Sequence, residues 1–286
     1  MTQNRQAQSR GRRVQWFLRD PGALIGACIV IVIVAAALFA PLIAPYDPTR
    51  QHLADAFGAP SLRYPLGADH LGRDILSRLL YGARATLGAA SLVLAAMLLI
   101  AISVGVAAGY YGGWLDTLLM RVVDVFLAFP GLLLAVAVAG TLGSGLLYVT
   151  LAMASVWWAG YARIVRSMVL ANRSKEYIMA ARVLGLRTLR IIVHHILRNI
   201  AGPLLVLASL DFGLIILSIA GLNFLGLGVQ PPLPEWGTML NDAQPFLQTD
   251  PQLVMYPAAA IFITVLGCNL LGDGLRDWLD PQTRQR

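Results

Sequence analysis

Few side chains in this sequence are equipped for chemistry: 13% of its 286 residues are charged and 57% are hydrophobic. The densest polar stretch, Arg163 to Pro203, carries Arg163, Arg166, Arg173, Lys175, Arg182, Arg187, Arg190 and Arg198. Lys175 is the only lysine and no Gly-Lys-Ser/Thr step surrounds it. A phosphate loop, whose lysine must reach nucleotide phosphates, is therefore missing. His52, His70, His194 and His195 stand at no metal-site spacing from cysteine or carboxylate. His194 and His195 read as helix residues beside a basic face. No serine or cysteine sits in a nucleophile elbow. These residues point away from an enzyme active site, and this chain is expected to bind no cofactor and no metal itself.

The elements that carry them are membrane spans. Mean hydropathy is +0.67, and a soluble domain would carry roughly 25% charged residues. The fold class expected is an all-α membrane protein with about six helices of bilayer length, roughly 20 residues each. The spans read as Leu24–Ile43, Thr86–Ala108, Thr117–Gly140, Leu146–Ala162, Pro203–Gly221 and Leu253–Leu271. The formal net charge of +7 reads as topology and not as nucleic-acid binding, because the basic residues lie beside apolar runs. A basic loop at 163–203 belongs in the cytoplasm, and so do both ends. The organisation expected is a basic tail at 1–20, a first span with its external loop at 21–85, a core at 86–281 and a short tail at 282–286. The first apolar run exceeds the usual core of about 7–15 residues in a secretory signal, so it reads as an uncleaved helix. Cys28 and Cys268 both fall in apolar runs and read as small buried hydrophobes, with no disulfide framework.

Within the basic loop the pattern is helical. Ser174 is placed to cap a helix and Glu176 to meet the positive end of its dipole. Ile178 with Ala181, and Ala180 with Leu184, fall at helical spacings, while Arg182 points elsewhere. Gly185 is placed to stop the helix in a left-handed conformation. A second helical segment follows at about Thr188–Leu197. The small alanines leave a shallow surface on which another protein's side chains could sit. Elsewhere, Arg121 and Asp124 are three apart and so share a face as an ion pair. Pro130 should kink the third span. Asp211, deep in the fifth, should face a protein interior or a water-filled path, or else satisfy a structural hydrogen bond. In the first external loop, Arg73 and Asp74 with Asp69 should pair and fold the loop against the membrane face.

Three stretches resemble permease subunits of ABC importers. Ala180, Ala181 and Gly185 fit the loop pattern EAA, three residues, Gly, nine residues, I-x-L-P, and Leu197 fits its leucine. Met179, His195 and Arg198 stand where the pattern has Glu, Ile and Pro. Leu66 to Arg84 resembles the LGTDxxGRDxxSRLxxGAR stretch of the dipeptide, oligopeptide and nickel importer group, with Ala68 in place of the threonine. Phe224 to Gly237 resembles that group's FLGLGVQPPxPxWG, and the end near Gly272–Pro281 its C-terminal signature. The resemblance implies the type I ABC importer permease fold in a bacterial or archaeal cytoplasmic membrane. It implies a second, similar permease, two ABC ATPases that hold ATP and Mg, and an external or periplasmic substrate-binding protein. It makes Glu176, Met179, Ala180, Ala181, Arg182 and Gly185 the ATPase-coupling loop, with Glu176 or Arg182 as candidate salt-bridge partners. Arg121–Asp124 then reads as a staple or as a contact that moves when the ATPase closes. Asp211 reads as pore- or partner-facing.

The function expected is transport of short peptides, with nickel or a nickel chelate as the alternative cargo. A membrane scaffold without transport would need no docking loop of fixed spacing. An ion-coupled secondary transporter would carry several buried carboxylates along its spans, where only Asp124 and Asp211 stand out.

Overall fold

The computed structural model describes residues 20–279. The tails expected at 1–20 and 282–286 lie outside the described residues apart from Asp20. Among the described residues the protein is helical, with one isolated bridge between Ala68 and Asp74. Helix α1 spans Pro21–Leu38, followed by a short helical turn at Ala40–Ile43. Then come α2 (Ile75–Tyr111), α3 (Gly113–Leu127), α4 (Gly131–Leu142) and α5 (Leu146–Arg173). They are followed by α6 (Glu176–Val183), α7 (Thr188–Ile191) and a π-helical turn, Ile192–Leu197. The last three are α8 (Arg198–Phe224), α9 (Trp236–Ala243) and α10 (Gln252–Leu279).

Four of these stretches are long and apolar enough to cross a bilayer: α1, α2, Thr188–Phe224 and Gln252–Trp278. A fifth counts if α3 and α4, bent 86° apart, form one broken span. The break falls at Pro130, whose ring and missing N–H interrupt the helix more completely than the kink expected there. Helix α5 has the length of a span, but Trp157, Trp158, Tyr161, Arg163 and Arg166 dilute its hydropathy.

Helix α2 starts eleven residues before the expected Thr86. The reason is a cap: Asp74 Oδ2 accepts the Ser77 N–H at 2.7 Å, so residues taken for loop join the first turns. The boundary placed at residue 85 thus falls inside a helix.

The chain forms two compact units. Of the described residues, one takes 20–91, Leu142–Thr150 and 209–279; the other takes Leu92–Thr141 and Leu151–Ala208. In the first, α1 packs along α10. A Cβ on Gly26 would sit 2.8 Å from the Gly267 carbonyl, so only a glycine permits that approach. In the second, α2 packs against α5 through Gly105 and Gly109, four residues apart. A Cβ on Gly105 would meet the Ala162 carbonyl at 2.7 Å, and one on Gly109 the Arg166 carbonyl at 2.9 Å. Small residues let such helices close where lipid offers no hydrophobic drive between them.

Cys268 is buried, as its apolar setting suggested. Cys28 is exposed, because α1 buries only a narrow stripe of Ala23, Gly26 and Ala37.

Candidate functional site

In the second unit the loop expected for docking is a helix with a hard stop. Helix α6 opens after Lys175, which occupies the N-cap without a side-chain bond. Ser174 does not cap it, which corrects the sequence expectation: the extended backbone falls one residue later, at Lys175. Glu176 lies in the first turn. Gly185 has φ +75°. Its N–H donates to the Arg182 carbonyl at 2.9 Å, and the Leu186 N–H to the Ala181 carbonyl at 3.1 Å. Those two bonds are a complete Schellman stop, which a glycine adopts without a Cβ penalty.

The face of α6 divides differently from the alanine surface expected. Ile178 and Ala181 are buried in their own unit. Exposed instead are Glu176, Ala180, Arg182, Met179, Val183 (87%) and Leu184 (79%). The surface offered outward is therefore apolar and bulky at its C-terminal end, with Ala180 alone of the two alanines. The Arg182 guanidinium lies 5.0 Å from the Tyr110 ring centroid, a cation–π contact that restrains it.

Helix α6 is anchored from behind. Arg173 Nη1 donates to the Gly109 and Tyr110 carbonyls at 2.9 and 3.2 Å, closing the C-terminal end of α2. Asn199 Nδ2 donates to Asn172 Oδ1 and, at 3.1 Å, to the Tyr177 hydroxyl. Asn172 in turn donates to the Met168 carbonyl at 2.8 Å. One polar knot thus joins α5, α6 and α8.

The ion pair expected between Arg121 and Asp124 is absent. Asp124 accepts from Arg163 of α5 at 2.6 Å, while Arg121 is exposed. Asp116 of α3 holds Arg166 in the same way, through two hydrogen bonds. Neighbouring helices offered guanidiniums that needed no side chain to fold back on its own helix. Asp211 is half-buried within α8.

In the first unit the LGADHLGRD stretch builds a buried charge cluster. Asp69 Oδ1 accepts the Leu71 and Arg73 N–H groups, both at 2.9 Å. Its Oδ2 pairs with Arg73 Nε at 2.6 Å and with Arg78 Nε at 3.5 Å. Asp242, on α9, lies 3.5 Å from Arg73 Nη2 and 3.3 Å from Arg78 Nη2. Arg73 and Arg78 are 1% and 2% exposed, so two buried cations face two carboxylates. Arg73 does not pair with Asp74, whose carboxylate is engaged in capping α2. Asp242 was not singled out in the sequence; it lies far along the chain and only the fold brings it in. His70 stacks on Phe246 at 5.1 Å, and burial pulls its imidazole below the usual histidine range.

Glu235 was also missed. It is fully buried and caps α9 by accepting the Thr238 N–H at 3.0 Å. Thr86 Oγ1 of α2 donates to its other oxygen at 2.7 Å. Burial pushes the carboxyl above the usual range, against the pull of those bonds. Beside it Trp236 Nε1 donates to the Leu79 carbonyl at 3.0 Å, and a Cβ on Gly82 would meet the Trp236 ring at 2.9 Å. The glycine of the one motif is therefore matched to the tryptophan of the other. A capping acid four residues after Pro231, opening an amphipathic run, was the available signal.

These parts describe a multi-span helical membrane protein that displays a short, glycine-stopped helix between apolar ones and has buried polar locks built on Asp69, Arg73, Arg78 and Asp242 and on Glu235. Residues 101–285 match the binding-protein-dependent transport system inner membrane component family, and residues 10–60 match the N-terminal TM domain of oligopeptide transport permease C. The chain belongs to this family: it is a multi-pass permease subunit of an ABC importer, and not an enzyme. The dipeptide transport system permease protein DppC of Alkalihalophilus pseudofirmus is 42% identical over 92% of this chain and 86% of its own length. The glutathione transport system permease protein GsiD of Pectobacterium atrosepticum is 42% identical over 94% and 89%. The nickel transport system permease protein NikC of Escherichia coli is 42% identical over 94% and 97%.

Proposed function

We propose that this permease forms half of the path for short peptides, released to it by an external binding protein and driven by partner ATPases. Six spans with both ends in the cytoplasm place α6 inside, by the positive charge around it. The partners are a second permease of the same kind and two ATPases, which carry the ATP and Mg that this chain lacks a phosphate loop to hold. The observation that carries the reading is the stopped helix α6, whose exposed Met179, Val183 and Leu184 form an apolar knob on an element too short to cross a bilayer. ATP-driven closure of the ATPases would rotate α6. The polar knot at Asn172, Tyr177 and Asn199 would pass that rotation to α5 and α8. Glu176 and Arg182 flank the knob as salt-bridge partners, and Asp211 faces the path or the second permease.

Peptides are favoured because a dipeptide, a di/tripeptide and a glutathione permease stand among the relatives, and glutathione is itself a tripeptide. Nickel or a nickel chelate is the second reading, supported by the equal identity of the nickel permease. The test is a reconstituted complex given labelled dipeptide, glutathione and Ni²⁺ in turn. Gly185→Val, at the stop that follows α6, should abolish cargo-stimulated ATP hydrolysis while the complex still inserts. Full stimulation by that variant, or transport without the ATPases, overturns the proposal.

A further inference from the structure

We infer that the cleft lined by Lys175, Tyr177, His194, His195, Arg198 and Asn199 is a second docking point for the partner ATPase, built to accept a carboxylate-bearing segment of it. The inference rests on the reading of α6 as the ATPase-facing helix and adds a charged site beside the apolar knob.

The cleft is shallow and open to solvent, about 560 Å³, and lies wholly within the second unit. Its lining carries the full charges of Lys175 and Arg198 with two imidazoles, and no carboxylate. Those cations are unspent. Among the described residues neither Lys175 nor Arg198 forms a salt bridge. Of the other cations in the unit, Arg163 pairs with Asp124, Arg166 with Asp116 and Arg173 closes the end of α2, whereas Arg121, Arg187 and Arg190 form no salt bridge either but stand outside the cleft. A cluster of like charge with no internal partner repels itself and gains from an incoming anion.

The cleft is shaped by the π turn at Ile192–Leu197. A π turn is wider than an α turn and recurs at functional positions. Here it keeps Ile192 and Ile196 buried while His194 is exposed and His195 half-buried. Its floor is fixed in advance, because Asn199 is already tied to Asn172 and Tyr177. A floor that needs no ordering lowers the cost of binding.

The occupant follows from position and charge. Lys175 directly precedes α6, and Tyr177 stands in its first turn. A protein surface that covers Met179 and Val183 therefore ends at the rim of the cleft, where a carboxylate would meet Lys175 and Arg198.

The test uses the permease pair with its ATPases in nanodiscs, made once of phosphatidylcholine alone and once with phosphatidylglycerol added. The dissociation constant of the ATPases is measured against salt for the wild type, Lys175→Glu/Arg198→Glu and Lys175→Arg/Arg198→Lys. The reversal is expected to weaken ATPase binding about tenfold in both lipids and to flatten its salt dependence. The conservative pair should bind like the wild type. Equal binding by wild type and reversal overturns the inference. A loss confined to discs with phosphatidylglycerol also overturns it and assigns the cleft to an acidic lipid headgroup. If the reversal fails to assemble with the second permease, Lys175→Gln/Arg198→Gln decides: a flatter salt dependence supports the site, an unchanged one removes it. A wild-type pair that binds no ATPase would instead defeat the reading of α6, so the two failures are distinct.

Discussion

Two buried arginines sharing two carboxylates are safe only while both acids are present. Asp242→Ala would leave Arg73 and Arg78 with Asp69 alone. Breaking a buried ionic set of this kind costs about 3–5 kcal/mol, expected here as a lower thermal midpoint. Asp124→Ala removes a pair whose side chains are about half exposed (54% and 51%), and should cost under about 1 kcal/mol. Equal effects of the two substitutions would refute the ranking. Glu235 makes a prediction in pH. Its carboxyl binds a proton more readily folded than unfolded, because burial disfavours the charge. Stability from this group is therefore full below the unfolded value near 4.5 and falls as pH rises from there towards the raised folded value. Glu235→Gln keeps the shape and removes the titration. Its midpoint should gain on the wild type as pH goes from 4 to 7, and parallel curves would count against the burial argument.

Between elements, contact is governed by what is missing from a side chain. Gly105 and Gly109 bring α2 against α5 so closely that backbone carbonyls occupy the space of a Cβ. Gly105→Leu should lose about 1–3 kcal/mol or more through overpacking, read as a lower midpoint of the detergent-solubilised protein. Gly88 has open space around its Cβ position, and Gly88→Leu should leave the midpoint close to wild type. The spacing of these glycines was plain in the sequence. Which of them meets backbone was not, since that depends on the facing helix. The same holds for α6: its extent and its stop at Gly185 follow from local rules, whereas burial of Ala181 and exposure of Val183 were decided by the elements behind it.

At the level of the whole molecule the outstanding claim is sidedness. In a Cys28→Ala/Cys268→Ala background, Leu62→Cys and Val183→Cys each place a thiol at an exposed site. A membrane-impermeant maleimide added to intact cells should label residue 62 and spare residue 183 until the membrane is opened. Labelling of 183 from outside would invert the topology and remove both docking proposals.

Apolar runs, the basic loop and its glycine stop are local properties, so the sequence by itself determined a helical membrane protein with a displayed, stopped helix, and its motifs carried the family. Pairings were another matter. Asp69 was expected beside Arg73 and is there, but Asp124 chose Arg163 over Arg121, Arg73 added Asp242 in place of Asp74, and Glu235 found Thr86. Each charge settled on the partner that the packed helices held nearest in space, and distance along the chain carries no record of that.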